Sequence, residues 1–350
     1  MKIMANTIIE KMTRYVPFSV LKFMLRSKVI GLCYHVVSDK PLLHIKHIYP
    51  YKTPEMFEDD LVFLKQNYNL LSYEQLLEQY HLSKPLNPNS IFLSFDDGLS
   101  ECFSIARPLL LKHEIPCMFF ITTDFIDNRN MFYKNIASLC IERVKSIDNS
   151  ERMDFIKEIN DCLGTNIEST ESFVLWILSL NVTEIDILNK VCDILEIDIE
   201  GYLTSHRPYL TSDEIKLLAS DGFTIGAHTK KHPQLNLLNN DMIEEETVES
   251  CQIIRSLTGN DQIPFAFPFS GDGLDRDFLE SVISRHKFIK LLFDTRMLRK
   301  DKDFIINRIP ADAPSFNEDR TSTVPQLMRT AFATQLKFNI KNMMKPFLSN

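Results

Sequence analysis

The stretch Ser94-Phe95-Asp96-Asp97-Gly98 follows the apolar run Ile91, Phe92, Leu93 and sets two carboxylates side by side at the end of what reads as a buried strand. Like charges held that close are costly unless something neutralises one of them. Asp before Gly is also ordinary turn chemistry, and an Asp after a strand commonly caps the next helix, so the pair alone decides nothing. Further along, "GAHTKKHPQL" carries His228 and His232, four apart and closed by Pro233. One helical turn between them would set both imidazoles on one side, a workable metal-ligand spacing. A lone H-x-x-x-H is weak, since surface or core histidines give the same pattern, but here both stretches end strand-like runs. Two His and one Asp form an N/O ligand set for a catalytic divalent cation, with positions open to water and substrate. Such a cation would neutralise one carboxylate and leave the other free to act as a base beside it.

The elements that must position these groups are short, β-rich runs, each ending in polar or turn residues. They are 29–37, 90–95, 117–122, 222–227, 263–269, 288–293 and 304–309. Near-continuous apolar character suits parallel strands covered on both faces. Helical patterns lie between them. "TPEMFEDDLVFLKQN" (53–67) opens with a Thr cap and a Pro, while 211–222 and 240–259 both end at glycine. The alternation predicts an α/β fold, a distorted or incomplete (β/α) barrel of about seven parallel strands. Active sites of such barrels lie at the C-terminal rim of the strands, where both motifs fall. The stretch 130–206 carries only helical patterns and reads as an insertion. The expected organisation is a basic helical arm at 1–28, barrel segments at 29–129 and 207–320 flanking that insertion, and a basic helical tail at 321–350. The acidic run Glu244-Glu245-Glu246 reads as a solvated helix face, and Trp176 as part of the insertion's core.

Composition narrows the function classes. The 350 residues are 44% hydrophobic and 25% charged, those of a globular protein with a substantial core. A net charge of −8 leaves no excess of Lys and Arg to track phosphates, which argues against a nucleic-acid partner. The ends are different: Lys2, Lys11, Arg14, Lys22, Arg26 and Lys28 face Glu10 alone, and Arg329, Lys337, Lys341 and Lys345 face no acid. Basic amphipathic ends of this kind either lie on an anionic membrane or pack on the protein body. No run approaches the roughly 18 apolar residues of a spanning helix, and the N-terminus lacks the pattern of a secretory signal. The seven cysteines form no C-x-x-C pair and fall mostly in apolar runs. Reduced, buried thiols in a cytoplasmic protein, with peripheral contact at the inner face of the membrane as an option, are the expectation.

With these residues in view, the chain resembles the NodB-homology polysaccharide deacetylases, carbohydrate esterase family 4. Their first motif, [ST]-F-D-D-G, is matched by Ser94-Phe95-Asp96-Asp97-Gly98, and their second, H-[ST]-x-x-H-P, by His228-Thr229-Lys230-Lys231-His232-Pro233. The resemblance implies Asp96 as catalytic base and Asp97, His228 and His232 as ligands of a divalent cation, zinc first, with cobalt, nickel or manganese as the other candidates. A third block, "FAFPFSGDG" (265–273), is similar to the family's groove-wall motif and implies Phe267 and Pro268 at the substrate. The aromatic loop "PLLHIKHIYPYKT" adds Tyr49 as a residue that could stack on a sugar ring, with His44 and His47 bordering the groove, against an ordinary surface loop.

Two departures matter. The family's third motif carries an arginine that orients the base, where this chain has Ala266; Arg308 in "INRIPAD" is the candidate substitute. Its fifth motif supplies an acid histidine near the last strand, where "FIINRIPAD" has none. Instead His35 ends the first strand run, an arrangement similar to the circularly permuted poly-N-acetylglucosamine deacetylases. In a closed barrel the first and last strands are neighbours, so His35 could occupy much the same place as the general acid. The function this implies is metal-dependent removal of N-acetyl groups from an amino sugar or polysaccharide intermediate of the cell envelope. Two alternatives stay open: deformylation of a lipid-linked amino sugar, and a catalytically silent carbohydrate-binding member of the same fold.

Overall fold

Strands that are apolar on both faces need cover on both, and a ring of strands inside a layer of helices provides it. The computed structural model of the chain describes residues 16–26, 29–81, 87–313 and 322–348. Its strands are β1 (Ile30–Tyr34), β2 (Asn69–Leu70), β3 (Ser90–Phe95), β4 (Cys117–Ile121), β5 (Thr224–Ala227), β6 (Ile263–Ala266), β7 (Ile289–Asp294) and β8 (Ile305–Pro310). All pair in parallel in the order β1-β8-β7-β6-β5-β4-β3, and β1 pairs back onto β3 from Ile30↔Ile91 to Tyr34↔Phe95. The result is a closed seven-stranded (β/α) barrel with a helical insertion. The two-residue β2 adds only to the start of β3, at Ser90 and Ile91.

Around the ring pack α1 (Phe18–Leu25), α2 (Pro54–Asn67), α4 (Arg107–His113), α10 (Ser212–Ser220), α11 (Asn240–Thr258), α12 (Arg276–Arg285) and the long α13 (Val324–Leu348). Local chemistry sets their ends. Thr53 caps α2 by accepting from Met56 N with Pro54 in the first turn; Thr211 and Glu214 form a reciprocal capping box on α10. Helix α3 (Tyr73–His81) plugs the barrel floor, where Leu76 and Leu77 join Phe92, Phe120 and Phe293 in the lumen.

Period-two alternation decides what enters that lumen. Gly31, Cys33 and then His35 point inward from β1; Phe92, Ser94 and then Asp96 from β3; Ile306 and Arg308 from β8. The alternate residues Leu32, Tyr34, Leu93, Phe95, Phe265 and Phe267 belong to the outer core beneath the helices.

Between β4 and α10 the insertion contributes five α-helices, α5 (Tyr133–Ser146), α6 (Asn149–Leu163), α7 (Thr170–Ser179), α8 (Ile185–Ile194) and α9 (Ile199–His206). They share a second core around Ile136, Cys140, Ile159, Phe173 and Val191, against which half-buried Trp176 packs. Buried Tyr209 fastens this unit to the barrel: its Oη accepts from Phe132 N at 3.0 Å and Asn135 Nδ2 at 2.9 Å, while Leu99 and Tyr209 form an antiparallel bridge.

Of the basic arm expected at 1–28, residues 1–15 and 27–28 lie outside the described residues. Helix α1 buries Leu21 and Leu25 and exposes Val20, Phe23 and Met24. Helix α13 buries Val324, Met328 and Ala331 against the body. Among the described residues no helix is long and apolar enough to cross a membrane. Cys162 is exposed and the other six cysteines are buried, all as free thiols.

Candidate metal centre and acid–base pair

Asp97 and Gly98 turn sharply out of β3 with φ of 73° and 79°. Glycine meets no penalty there, and Asp is among the residues that tolerate it best. Across the rim, β5 ends at Ala227 and His228 N still donates to Ile121 O at 2.9 Å. The chain then makes a tight loop instead of the helical turn expected from the four-residue spacing. Thr229 and His232 both take left-handed backbone, φ 65° and 57°, and His232 N donates to Thr229 Oγ1 at 3.0 Å. Two such conformations cost roughly 1–3 kcal/mol each and persist only where their surroundings over-determine them. Glu246 is one such determinant. Its carboxylate accepts from the backbone of Lys230 at 2.8 Å and Lys231 at 3.1 Å. This half-buried glutamate corrects the reading of the 244–246 run as a solvated face; Glu244 pairs with Arg285 and His286.

These turns bring Asp97, His228 and His232 together. Their ligand atoms lie within 4.8 Å of one another, with His228 Nε2 at 3.4 Å and His232 Nε2 at 3.1 Å from Asp97 Oδ1. His228 Nδ1 lies 2.9 Å from Ala266 O, so this nitrogen carries a proton and Nε2 is the atom turned toward Asp97. Asp97 Oδ1 is buried without a hydrogen-bond partner. Acceptors converging around an unsatisfied carboxylate oxygen, with the far side of one imidazole fixed by a carbonyl, fit a divalent cation and its outer shell. Burial would raise the Asp97 carboxyl; positive charge at the adjoining His232 and His228 holds it well below the usual carboxylate range, and a bound cation would supply that charge where the rings are neutral. Burial pushes His232 down, toward the neutral form that ligates.

Asp96 is held differently. Arg308, fully buried, reaches up the lumen over the rings of Phe120 and Phe293 and clamps the carboxylate with both terminal nitrogens, Nη1 to Oδ1 at 2.6 Å and Nη2 to Oδ2 at 2.8 Å. Ser94 Oγ accepts from the same Nη1 at 2.9 Å, and Cys33 Sγ donates to Asp96 Oδ2 at 3.2 Å. Burial would raise Asp96; the Arg308 guanidinium keeps it below its ordinary value, hence ionised. Cys33, His35 and Asp96 also fall within 4.8 Å, but Arg308 already neutralises that carboxylate, so the group around Asp97 is the better suited to a cation. The arginine can pass because β1 has Gly31 there: a Cβ would come to 2.8 Å of Arg308 Cγ and 2.4 Å of Phe92 Cζ.

His35 faces the same space from β1. Asp312 grips it twice, taking the backbone N–H on Oδ1 and Nδ1 on Oδ2, both at 2.7 Å. That first bond also stops β1 at Tyr34, short of the expected 37. Burial works against the imidazolium, but the Asp312 carboxylate outweighs it and His35 is pushed up to about 10. Asp312 went unnoticed in the sequence although a signal was present, because the alternation that turns Arg308 inward also turns residue 312 inward.

A cavity of about 340 Å³ opens on these groups, lined among others by His35, Tyr49, Asp97, His232, Phe132 and Phe269. Tyr49 stands 5.1 Å from the His35 ring, and its Oη lies 3.5 Å from Asp97 Oδ2. The third block is corrected. Parity sends Phe267 outward to pack on Phe265, and Pro268 is buried as well. Phe269, 41% exposed with φ 57°, is the residue of that block at the cavity. His44 and His47 do not border it either; they hold Tyr202 and Glu142 of the insertion.

Comparison with known proteins gives a family model and a fold. A sequence model of the polysaccharide deacetylase family matches residues 180–283, which span His228, His232 and the third block. A search of curated proteins finds no match. Solved structures share the fold. IcaB from Ammonifex degensii is 16% identical with a TM-score of 0.52, over 88% of this chain and 97% of that one. The Streptococcus pyogenes deacetylase PplD, in complex with acetate, is 16% identical with a TM-score of 0.51, over 81% and 92%. A de-N-acetylase from Aggregatibacter actinomycetemcomitans is 13% identical with a TM-score of 0.51, over 85% and 99%. The resemblance to the polysaccharide deacetylases thus holds in sequence and in fold.

Proposed function

We propose, from the polysaccharide deacetylase resemblance as premise, that the chain is a metal-dependent hydrolase removing N-acetyl groups from an amino sugar or polysaccharide intermediate of the envelope. The observation that carries this is the pairing of an unsatisfied Asp97–His228–His232 cluster with a separately clamped, ionised Asp96. Asp97, His228 and His232 would hold the cation, zinc by ligand type, which when bound supplies Lewis-acid polarisation of the acyl oxygen and a more acidic water. Asp96 accepts the proton of the water that adds to the acyl carbon. Arg308, Ser94 and Cys33 keep its oxygens aimed and charged. His35, protonated and oriented through Asp312, gives its Nε2 proton to the amine nitrogen as the C–N bond breaks, since an amine leaves poorly as an anion. Acetate and a free amino sugar are the products. Tyr49 and Phe269 flank the sugar.

The six buried free thiols support a reducing, cytoplasmic compartment for this reading. Exposed Val20, Phe23 and Met24 beside Lys22 and Arg26 supply the face that peripheral contact with an anionic membrane would use.

The decisive variant is Asp96→Asn. Acetate release from N-acetylated glycans should fall by roughly 10²–10⁴ while cation binding persists. Activity near the normal rate would remove Asp96 from the role of base, and formate as the released acid would move the reading to a deformylase.

A further inference from the structure

The two imidazoles of the candidate metal centre differ in what stands behind them. His228 turns Nδ1 to Ala266 O at 2.9 Å, so a hydrogen bond fixes the ring from its far side, as is usual for a ligating histidine. His232 has no such bond among the described residues. Its Nε2 lies 3.1 Å from Asp97 Oδ1, while Nδ1 is buried without a hydrogen-bond partner.

Aromatic rings surround His232 instead. The Phe132 centroid lies 4.3 Å away with 60° between the planes, Phe269 5.1 Å away at 63°, and His228 itself 4.8 Å away at 66°. A hydrogen bond fixes a ring by direction; packing fixes it by occupying the space into which it would turn. Phe132 makes the nearest of these contacts, and it comes from outside both motifs. It stands at the N-cap of α5, buried, with its N–H donating to Tyr209 Oη at 3.0 Å. Its ring also packs against Tyr133 and Phe125, at 4.8 Å and 6.5 Å between centroids. Phe132 is therefore held from behind, whereas Phe269 is 41% exposed.

We propose that Phe132 is a positioning residue for the cation. Its ring stands in for the hydrogen bond that His232 Nδ1 lacks and keeps Nε2 facing Asp97, so the helical insertion contributes to cation affinity. This rests on the metal-dependent reading of the site and adds to it a residue that neither motif contains.

The test titrates the full chain with zinc by calorimetry and follows folding by circular dichroism. Affinity should fall in the order Phe132, Phe132→Leu, Phe132→Val, Phe132→Ala, with Leu keeping most of it and Ala losing about 10–100-fold. The graded series stays readable should the last variant not fold. Leu178→Ala, which borders the same cavity without a ring against His232, should bind zinc as the unaltered chain does. Cobalt in place of zinc gives a second readout. Its visible absorption follows the ligand field, and it should change across the Phe132 series and stay fixed in Leu178→Ala. Unchanged zinc affinity across the series overturns the inference while the metal-dependent reading stands. An equal loss in Leu178→Ala also overturns it, by making the effect a general loosening of the insertion. No zinc bound by the unaltered chain overturns the inference together with the reading beneath it.

Discussion

Asp96 and Asp97 are neighbours in sequence yet live in separate electrostatic surroundings, one fixed by a guanidinium and the other by two imidazoles. Pushing two adjacent carboxylates into distinct roles by their partners is a recurring way to build acid–base chemistry near neutral pH. His35 completes the set from the opposite side. Its titration near 10, above the ordinary ~6.5, has a defined sign. The protonated ring adds stability that is fully present below the ordinary value and is lost as pH rises through about 10. Asp312→Asn should take His35 to ~6.5 or below. The alkaline limb of kcat/KM should then move to lower pH, and an NMR titration of the imidazole should follow it. A limb that stays in place would separate His35 from the acid step. Cys33 is open to the same kind of test. Cys33→Ser keeps a donor to Asp96 and should retain most activity, whereas Cys33→Ala leaves Oδ2 with one donor fewer and should cost about 0.5–1.5 kcal/mol of stability by chemical denaturation.

At the scale of elements, the barrel rim is shaped by exceptions to regular structure. Among the residues with left-handed backbone, Asp97, Thr229, His232 and Phe269 fall at the candidate site, and Glu246 takes the backbone N–H groups of the loop between the two histidines. Glu246→Ala should weaken cation affinity by about 10–100-fold, measured by calorimetry, without unfolding the protein. Gly31→Ala should overpack β1 by ~1–3 kcal/mol and dislodge Arg308 from Asp96. Activity should then fall further than stability alone explains, and a crystal structure would reveal the displaced guanidinium. The same exceptions explain what the sequence could and could not disclose. Strand order, the rim position of both motifs and the reach of Arg308 follow from apolar runs and parity. Strand ends do not, because a side-chain acceptor such as Asp312 can take an N–H from the ladder. Phe267 was expected at the groove for its motif position, but parity places it in the core. β2 is too short to leave a periodic signature, and Glu246 is hidden in a run of identical acids.

For the molecule as a whole, two cores meet at one site: the barrel supplies the charged groups, and the insertion sets Phe132 beside them. Nothing in the sequence ties Phe132 to His232, because their contact depends on how a separate helical unit docks. Tyr209 is the joint. Tyr209→Phe removes the acceptor for Phe132 N and Asn135 and should destabilise the fold by about 1–3 kcal/mol in chemical denaturation. Unchanged stability would relieve Tyr209 of that part.

Cation stoichiometry tests the central claim most directly. Purified protein loaded with zinc and measured by elemental analysis should carry one ion per chain. Asp96→Asn should keep it, and Asp97→Ala and His228→Ala should each lose it. An ion retained by Asp97→Ala, or none in the unaltered chain at saturating zinc, would contradict the account.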